Sequence, residues 1–234
     1  MTATTAPATE APAGTPTRLT GIRRTAARRM IAAWAAPVFH LTVEVDMTNA
    51  LHTKVSEPSA TVTDALLAAC ATALRAHPAL NAHYADEVVT TFDDVHLGVA
   101  VATDAGLMVP VIHGADRLTL PALAASRKDV VARARAGKLA MSDVTGGTFT
   151  VSNLGMMGID RFDAILNVPQ VAILAVGSTR HRQVWADGDQ TGDGGAPQWR
   201  PIAEFTLTCD HRAIDGATGA AFLAAIRDRL EGRN

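Results

Sequence analysis

Cysteine is scarce in this 234-residue sequence: Cys70 and Cys209 are the only two, too few for the disulfide framework of a secreted domain, so a reducing cytoplasm fits. No apolar run approaches the roughly 18 to 20 residues of a membrane span, and no basic segment followed by an apolar one opens the chain. Neither insertion nor secretion is expected. Charge of either sign is nearly balanced, with a formal net charge of −2 and a pI near 6.4. That leaves no basic field for a phosphate backbone, which makes nucleic acid a poor partner. Lysine is confined to Lys54, Lys128 and Lys138, and no internal repeat or second domain is visible.

What is present suits one globular domain. The chain is 48% hydrophobic and 19% charged, long enough to bury a substantial core. Residues 1–17 are Ala, Thr and Pro apart from Met1, Gly14 and a single acid, a composition that cannot order itself, so a disordered tail is expected before a domain over residues 18–234. Thr20 can cap a helix running to about Ala35, with Ile22, Ala26, Met30 and Trp34 four apart on one packing face and Pro37 as its stop. Arg23, Arg24, Arg28 and Arg29 then form its wet side, or a seat for an anionic cofactor phosphate.

Phe39, Leu41, Val43 and Val45 alternate with polar residues, which predicts a strand. A short helix over Asp46–Val55 follows. An Ala-rich helix from Ala65 to Ala76 opens at Thr63-Asp64, is closed by His77-Pro78, and by its small side chains should pack tightly on a sheet or a neighbouring subunit. Three strand runs come next, Glu87–Phe92, His96–Thr103 and Leu107–Ile112, the last two joined as a hairpin through Asp104-Ala105-Gly106. Thr119 and Pro121 start a helix that Gly137 ends. Thr148–Ser152 and Val171–Val176 read as strands, and the Gly-rich stretch between Ser178 and Pro201 as an exposed hairpin tip. The order of elements predicts a single α/β domain with a mixed sheet.

Two stretches carry chemistry. Phe205, Leu207 and Cys209 alternate with Thr206 and Thr208 as a strand, and Phe222, Ile226 and Leu230 recur at helical spacing, so Asp210-His211-Arg212-Ala213-Ile214-Asp215-Gly216 sits where a strand turns into a helix. A histidine at such a corner can be aimed into a cleft as a general base. Asp215 either holds a charged partner and fixes the His211 loop, or caps the last helix. Cys209 is a nucleophile only if it faces a cleft, and its alternation with Leu207 points it to the core. The second stretch is Gly146-Gly147-Thr148-Phe149-Thr150-Val151-Ser152-Asn153-Leu154-Gly155. Taken alone, Ser152 reads as a strand-end hydroxyl bonding its own backbone.

Together the two stretches resemble the catalytic domain of the dihydrolipoyl acyltransferases of 2-oxoacid dehydrogenase complexes. Further matches run in family order: Gly21-Ile22-Arg23 through Met30, Pro78-Ala79-Leu80-Asn81-Ala82, Gly98 to Ala102, Gly106 to Ile112 and Pro169 to Leu174. The resemblance covers nearly everything from Leu19 to Leu230. It implies a single chloramphenicol acetyltransferase-like α/β domain, a mixed β-sheet with packed helices. It also implies acyl transfer between a dihydrolipoyl-type thiol and coenzyme A, a substrate here, through a tetrahedral oxyanion. The site residues it implies are His211, Asp215 and Ser152, with no metal: His211 as base, Ser152 as oxyanion donor, and the two facing one another across subunits of a homotrimer. A free thiol of pKa about 8.5 stands two units above imidazole, so complete prior proton transfer would cost roughly 2.7 kcal/mol, whereas removal during attack avoids that state.

The match departs from the family in two places. None of the three lysines lies in the Asp-Lys-Ala-type turn of a lipoyl domain, and there is no room for the small subunit-binding domain. The lipoyl group is therefore expected from another domain or chain, with a lipoyl-bearing protein and 2-oxoacid dehydrogenase components as partners. The chain also finishes at Leu230-Glu231-Gly232-Arg233-Asn234 without the family's apolar tail, so trimers are expected not to build cubic or dodecahedral cores. Two other functions stay open: a stand-alone coenzyme A-dependent acyltransferase acting on a small-molecule hydroxyl or amine, and a non-catalytic oligomeric scaffold. The intact His211, Ser152 and Asp215 count against the scaffold.

Overall fold

The computed structural model describes residues 14–19, 21–185 and 196–233. Most of the expected tail, the cap at Thr20 and the tip of the hairpin after Ser178 lie outside these residues. In chain order the elements are α1 (Gly21–Trp34), β1 (Val38–Asp46), α2 (Thr48–Ser56), α3 (Val62–Ala76), β2 (Ala82–Ala85), β3 (Val88–Thr91), β4 (Leu97–Val99), β5 (Val101–Thr103), β6 (Gly106–Met108), β7 (Val111–Ile112), α4 (Leu120–Arg135), β8 (Phe149–Asn153), β9 (Ala172–Val176), β10 (Arg180–Val184), β11 (Gln198–Asp210) and α5 (Gly216–Glu231). Among the described residues no helix is long and apolar enough to cross a membrane.

The main sheet has the order β1-β11-β9-β8-β4-β7, with β10 added to the first part of β11. Its β8 strand runs parallel to both β9 and β4, and the other pairs are antiparallel. This is the expected mixed sheet. The long β11 is its spine, because period-two alternation gives it two different faces. Phe205, Leu207 and Cys209 face the core with Leu174, Val151 and Phe149, beneath Phe222 and Ile226 of α5. The opposite face is polar: His40 Nδ1 lies 2.9 Å from Thr208 Oγ1, and the Thr42 and Thr206 hydroxyls are 3.0 Å apart. Helix α5 lies close on the core face at Gly219, where an added Cβ would stand 2.8 Å from Leu41 Cδ1.

Four features differ from the sequence expectations. First, α1 does not bury the face containing Trp34, which is 82% exposed, as Ile31 is at 74%. At about 100° per residue a strict four-residue spacing drifts by roughly 40° each step, so by Trp34 the row has rotated off the packed side. The buried stripe instead ends in Ala33, three residues after Met30. Second, α3 packs chiefly among helices α2, α4 and α5. Its N-cap is Thr61, in a capping box with Asp64, one turn before the expected start.

Third, two of the predicted strand runs are each split between sheets. Over 96–103 the break falls at Ala100, which leaves β4 to the main sheet and β5 to a separate hairpin with β6. Over 107–112 it falls at Val109-Pro110, since proline has no N–H for a ladder. Fourth, Ala82–Ala85 forms β2, which pairs with β3 through a turn at Asp86 and Glu87, both at positive φ (51° and 64°). That geometry normally advertises itself by Asn-Gly or Asp-Gly, and here the signal is absent.

Candidate active site

Asp210 closes β11, and its carbonyl accepts N–H bonds from both Ala213 and Ile214 at 3.0 Å. The chain then turns through His211 and enters α5 at Asp215. The Asp215 Oδ1 accepts the Thr218 N–H at 2.7 Å, so this residue is the helix N-cap. Its carboxyl is held below the usual range, first by the Thr218 backbone N–H and then by the Thr218 side chain. A rigid strand and a capped helix thus fix both ends of a short loop, and His211 projects from it exposed to solvent.

Two contacts set its direction. The His211 N–H donates to the Pro37 carbonyl at 2.9 Å, and its ring lies 4.8 Å from that of Phe39 in a tilted arrangement. On either side of it, Asp210 and Arg212 clasp one another. The Arg212 guanidinium donates to the buried Asp210 carboxylate at 2.9 Å through Nε and 2.6 Å through Nη2, and the Arg212 backbone N–H adds a bond at 3.0 Å. Arg212 also lies 4.1 Å over the Tyr84 ring.

Ser152 stands on β8, half-buried on the polar face. Among the described residues its hydroxyl makes no hydrogen bond, which removes the reading of a hydroxyl bonded to its own backbone. Its neighbour Thr150 is engaged, donating to Gln170 Oε1 at 2.6 Å and accepting from Asn167. On the same face a cavity of about 330 Å³ is lined in part by Trp34, His40, Ile165 and Thr208.

The structure does not bring Ser152 and His211 together within one chain. Ser152 pairs with Ala175, Ala175 pairs with Thr206, and His211 lies five residues beyond Thr206. With about 3.3 Å per residue along a strand and 4.8 Å between strands, the Cα atoms are about 19 Å apart. His211 and Asp215, by contrast, share one loop. Cys209 is fully buried and its thiol is pushed up to about 12 by burial and by the charge of Asp210, so it is no nucleophile. Burial raises Cys70 still further.

Residues 12–234 match the family described as 2-oxoacid dehydrogenases acyltransferase (catalytic domain). The chain belongs to this family. Relatives include the dihydrolipoyllysine-residue acetyltransferase component of the mitochondrial pyruvate dehydrogenase complex of Dictyostelium discoideum, 37% identical over 88% of this chain and 33% of that protein. Another is the corresponding component of the acetoin cleaving system of Bacillus subtilis, 37% identical over 91% of this chain and 54% of the relative. The chain therefore spans from a third to about half of these curated relatives.

Among solved structures, a probable dihydrolipoamide acetyltransferase of Listeria monocytogenes superposes with a TM-score of 0.85 at 30% identity, covering 94% of this chain and 95% of the other. The Azotobacter vinelandii dihydrolipoamide acetyltransferase, studied for the catalytic roles of a serine, a histidine and an asparagine four positions after that histidine, gives 0.84 at 32% identity, with 93% and 91% covered. A chloramphenicol acetyltransferase at 12% identity and TM-score 0.56, covering 91% of this chain and 99% of the other, shares the fold. The family's acyltransferase fold is thus the one the sequence predicts.

The residues that sequence reasoning leaves without a role are Asp210, Arg212, Tyr84 and Phe39. For the first two the usable signal is their opposite charge two residues apart, within reach of one another around the turn that follows β11. Nothing in sequence links Tyr84 or Phe39 to that corner.

Proposed function

We propose that this domain transfers an acyl group between a dihydrolipoyl-type thiol and coenzyme A, as a homotrimer with its sites between subunits. The lipoyl group arrives on another domain or chain, and the associated partners are 2-oxoacid dehydrogenase components. The observation that carries the reading is an exposed, backbone-directed His211 together with a Ser152 hydroxyl that makes no hydrogen bond among the described residues, in a fold shared with the Azotobacter enzyme. Here the position four after the histidine is Asp215 rather than asparagine, and it serves by capping α5 and so holding the far end of the His211 loop.

In this mechanism His211 removes the thiol proton as sulfur attacks the thioester carbon. The carbonyl oxygen becomes an oxyanion, and the neighbour's Ser152 donates a hydrogen bond to it. Collapse expels the second thiolate, which recovers the proton from His211. The 19 Å separation within one chain favours a donor from a second copy. So does the α1 stripe of Ala27, Ile31 and Trp34, spaced i, i+4, i+7 and turned away from its own core.

The test is thioester formation from acyl-CoA and free dihydrolipoamide. His211→Ala should lower kcat by about a hundredfold or more, and Ser152→Ala by a hundredfold to a thousandfold. Full activity in the His211 variant removes the proposed base.

A further inference from the structure

Tyr84 lies outside every motif that defines the site, yet it faces the residue next to the proposed base. Its strand β2 is not part of the main sheet, but it is laced to the end of β11. The Val171 N–H donates to the Ala82 carbonyl at 3.1 Å, and the Asp210 N–H to the Val171 carbonyl at 2.8 Å. Tyr84 itself is anchored by its N–H on the Pro169 carbonyl at 2.8 Å. This lacing sets the ring under the Arg212 guanidinium, 4.1 Å from its centroid.

The arrangement constrains His211 through its neighbours. Asp210 and Arg212 are joined as a fork, so the backbone between them cannot turn freely without pulling apart a charge-assisted pair. Asp210 is only 2% exposed, and a buried carboxylate stripped of its partner is strongly disfavoured. Arg212, however, is on the rim, its side chain 37% exposed, and its escape route is rotation into water. The Tyr84 ring occupies one flank of that route and attracts the guanidinium by its π face. The ring therefore holds the arginine, the arginine holds the carboxylate, and the clasped pair holds the loop from which His211 projects.

We propose that Tyr84 is a positioning residue for His211, acting through the Arg212–Asp210 fork. The inference rests on the reading of His211 as the base, and its test carries a readout that does not depend on activity. Because the ring face is the active feature, Tyr84→Phe should keep kcat within about twofold, while Tyr84→Leu, which keeps apolar bulk without a π face, should lower kcat about tenfold. KM for both thiols should stay within about twofold, and Tyr84→Ala should match the leucine variant if it folds. In a His211→Ala background the leucine substitution should cost nothing further.

The independent readout is the His211 ring signal in protein labelled with ¹³C-histidine, assigned by its loss in His211→Gln. It should be a single narrow line in the parent and in Tyr84→Phe, and broadened or doubled in Tyr84→Leu. An unchanged line in Tyr84→Leu, or equal kcat losses in the Phe and Leu variants, overturns the proposal. A parent protein without any transfer activity, but with a His211 line that still responds to Tyr84→Leu, overturns the acyltransfer reading and leaves the positioning role standing.

Discussion

If the base and the oxyanion donor come from different subunits, two inactive variants should rescue one another. In the tetrahedral intermediate the base contacts sulfur and the hydroxyl contacts oxygen at about 3 Å each, so Nε2 and Oγ can be at most about 9 Å apart. Two side chains aimed straight at each other add about 7 Å between Cα atoms. The sum falls short of the roughly 19 Å that the strand register imposes within one chain, and the two side chains are not so aimed. Ser152 lies on the polar face, whereas the His211 ring rests on Phe39, which belongs to the core side.

The assay mixes His211→Ala and Ser152→Ala subunits in equal amounts, dissociates them in mild denaturant, lets them reassociate, and follows thioester formation. Each parent should show about 1% of normal activity or less. In random trimers a site is intact when its histidine comes from the serine variant and its hydroxyl from the histidine variant, which holds for about a quarter of sites. Activity should therefore rise to about 25% of the unmutated protein, some 25-fold above either parent. A mixture that stays at the average of its parents, after subunit exchange has been verified by mass, refutes the shared site.

Other consequences are separable from catalysis. Replacing Trp34 with alanine together with Ile31 with aspartate should shift the assembly to monomers in light scattering while leaving the helical circular dichroism signal near normal, since both side chains lie outside the core of their own chain. Gly177→Ala should fail to yield folded protein, because its Cβ would sit 1.8 Å from the Asp160 carbonyl oxygen and no rotamer relieves a backbone clash; a soluble variant of normal melting temperature contradicts the packing described. The buried Asp64 accepts bonds from Arg127 at 2.5 and 3.0 Å. Burial alone raises its carboxyl pKa, but the Arg127 and Thr61 hydrogen bonds and the arginine charge outweigh burial and hold it below the ordinary value. Its stabilisation is therefore present above about pH 4 and lost as pH falls through the lowered folded-state value. Asp64→Asn should cost about 3 kcal/mol at neutral pH, with the gap to the parent in urea unfolding narrowing below pH 4.

The elements whose order depends on local rules were legible in the amino-acid sequence. The β11 alternation, the Thr119 start of α4, the closure of α3 at His77-Pro78 and the cap at Asp215 all follow from periodicity, dihedral limits and side-chain bonding over a few residues. So was the strand-to-helix corner that presents His211. Tertiary structure decided what local rules cannot reach. It sent the two halves of 96–103 to different sheets, closed a hairpin at Asp86-Glu87 without a glycine, and turned Trp34 to the outside. It set Ser152 and His211 far apart in one chain and laid Tyr84 against Arg212, 128 residues later in the sequence. The physical reason is that sheet register and helix rotation are fixed by burial summed over distant segments, whereas a pattern read along the chain contains only the distances that the backbone itself imposes.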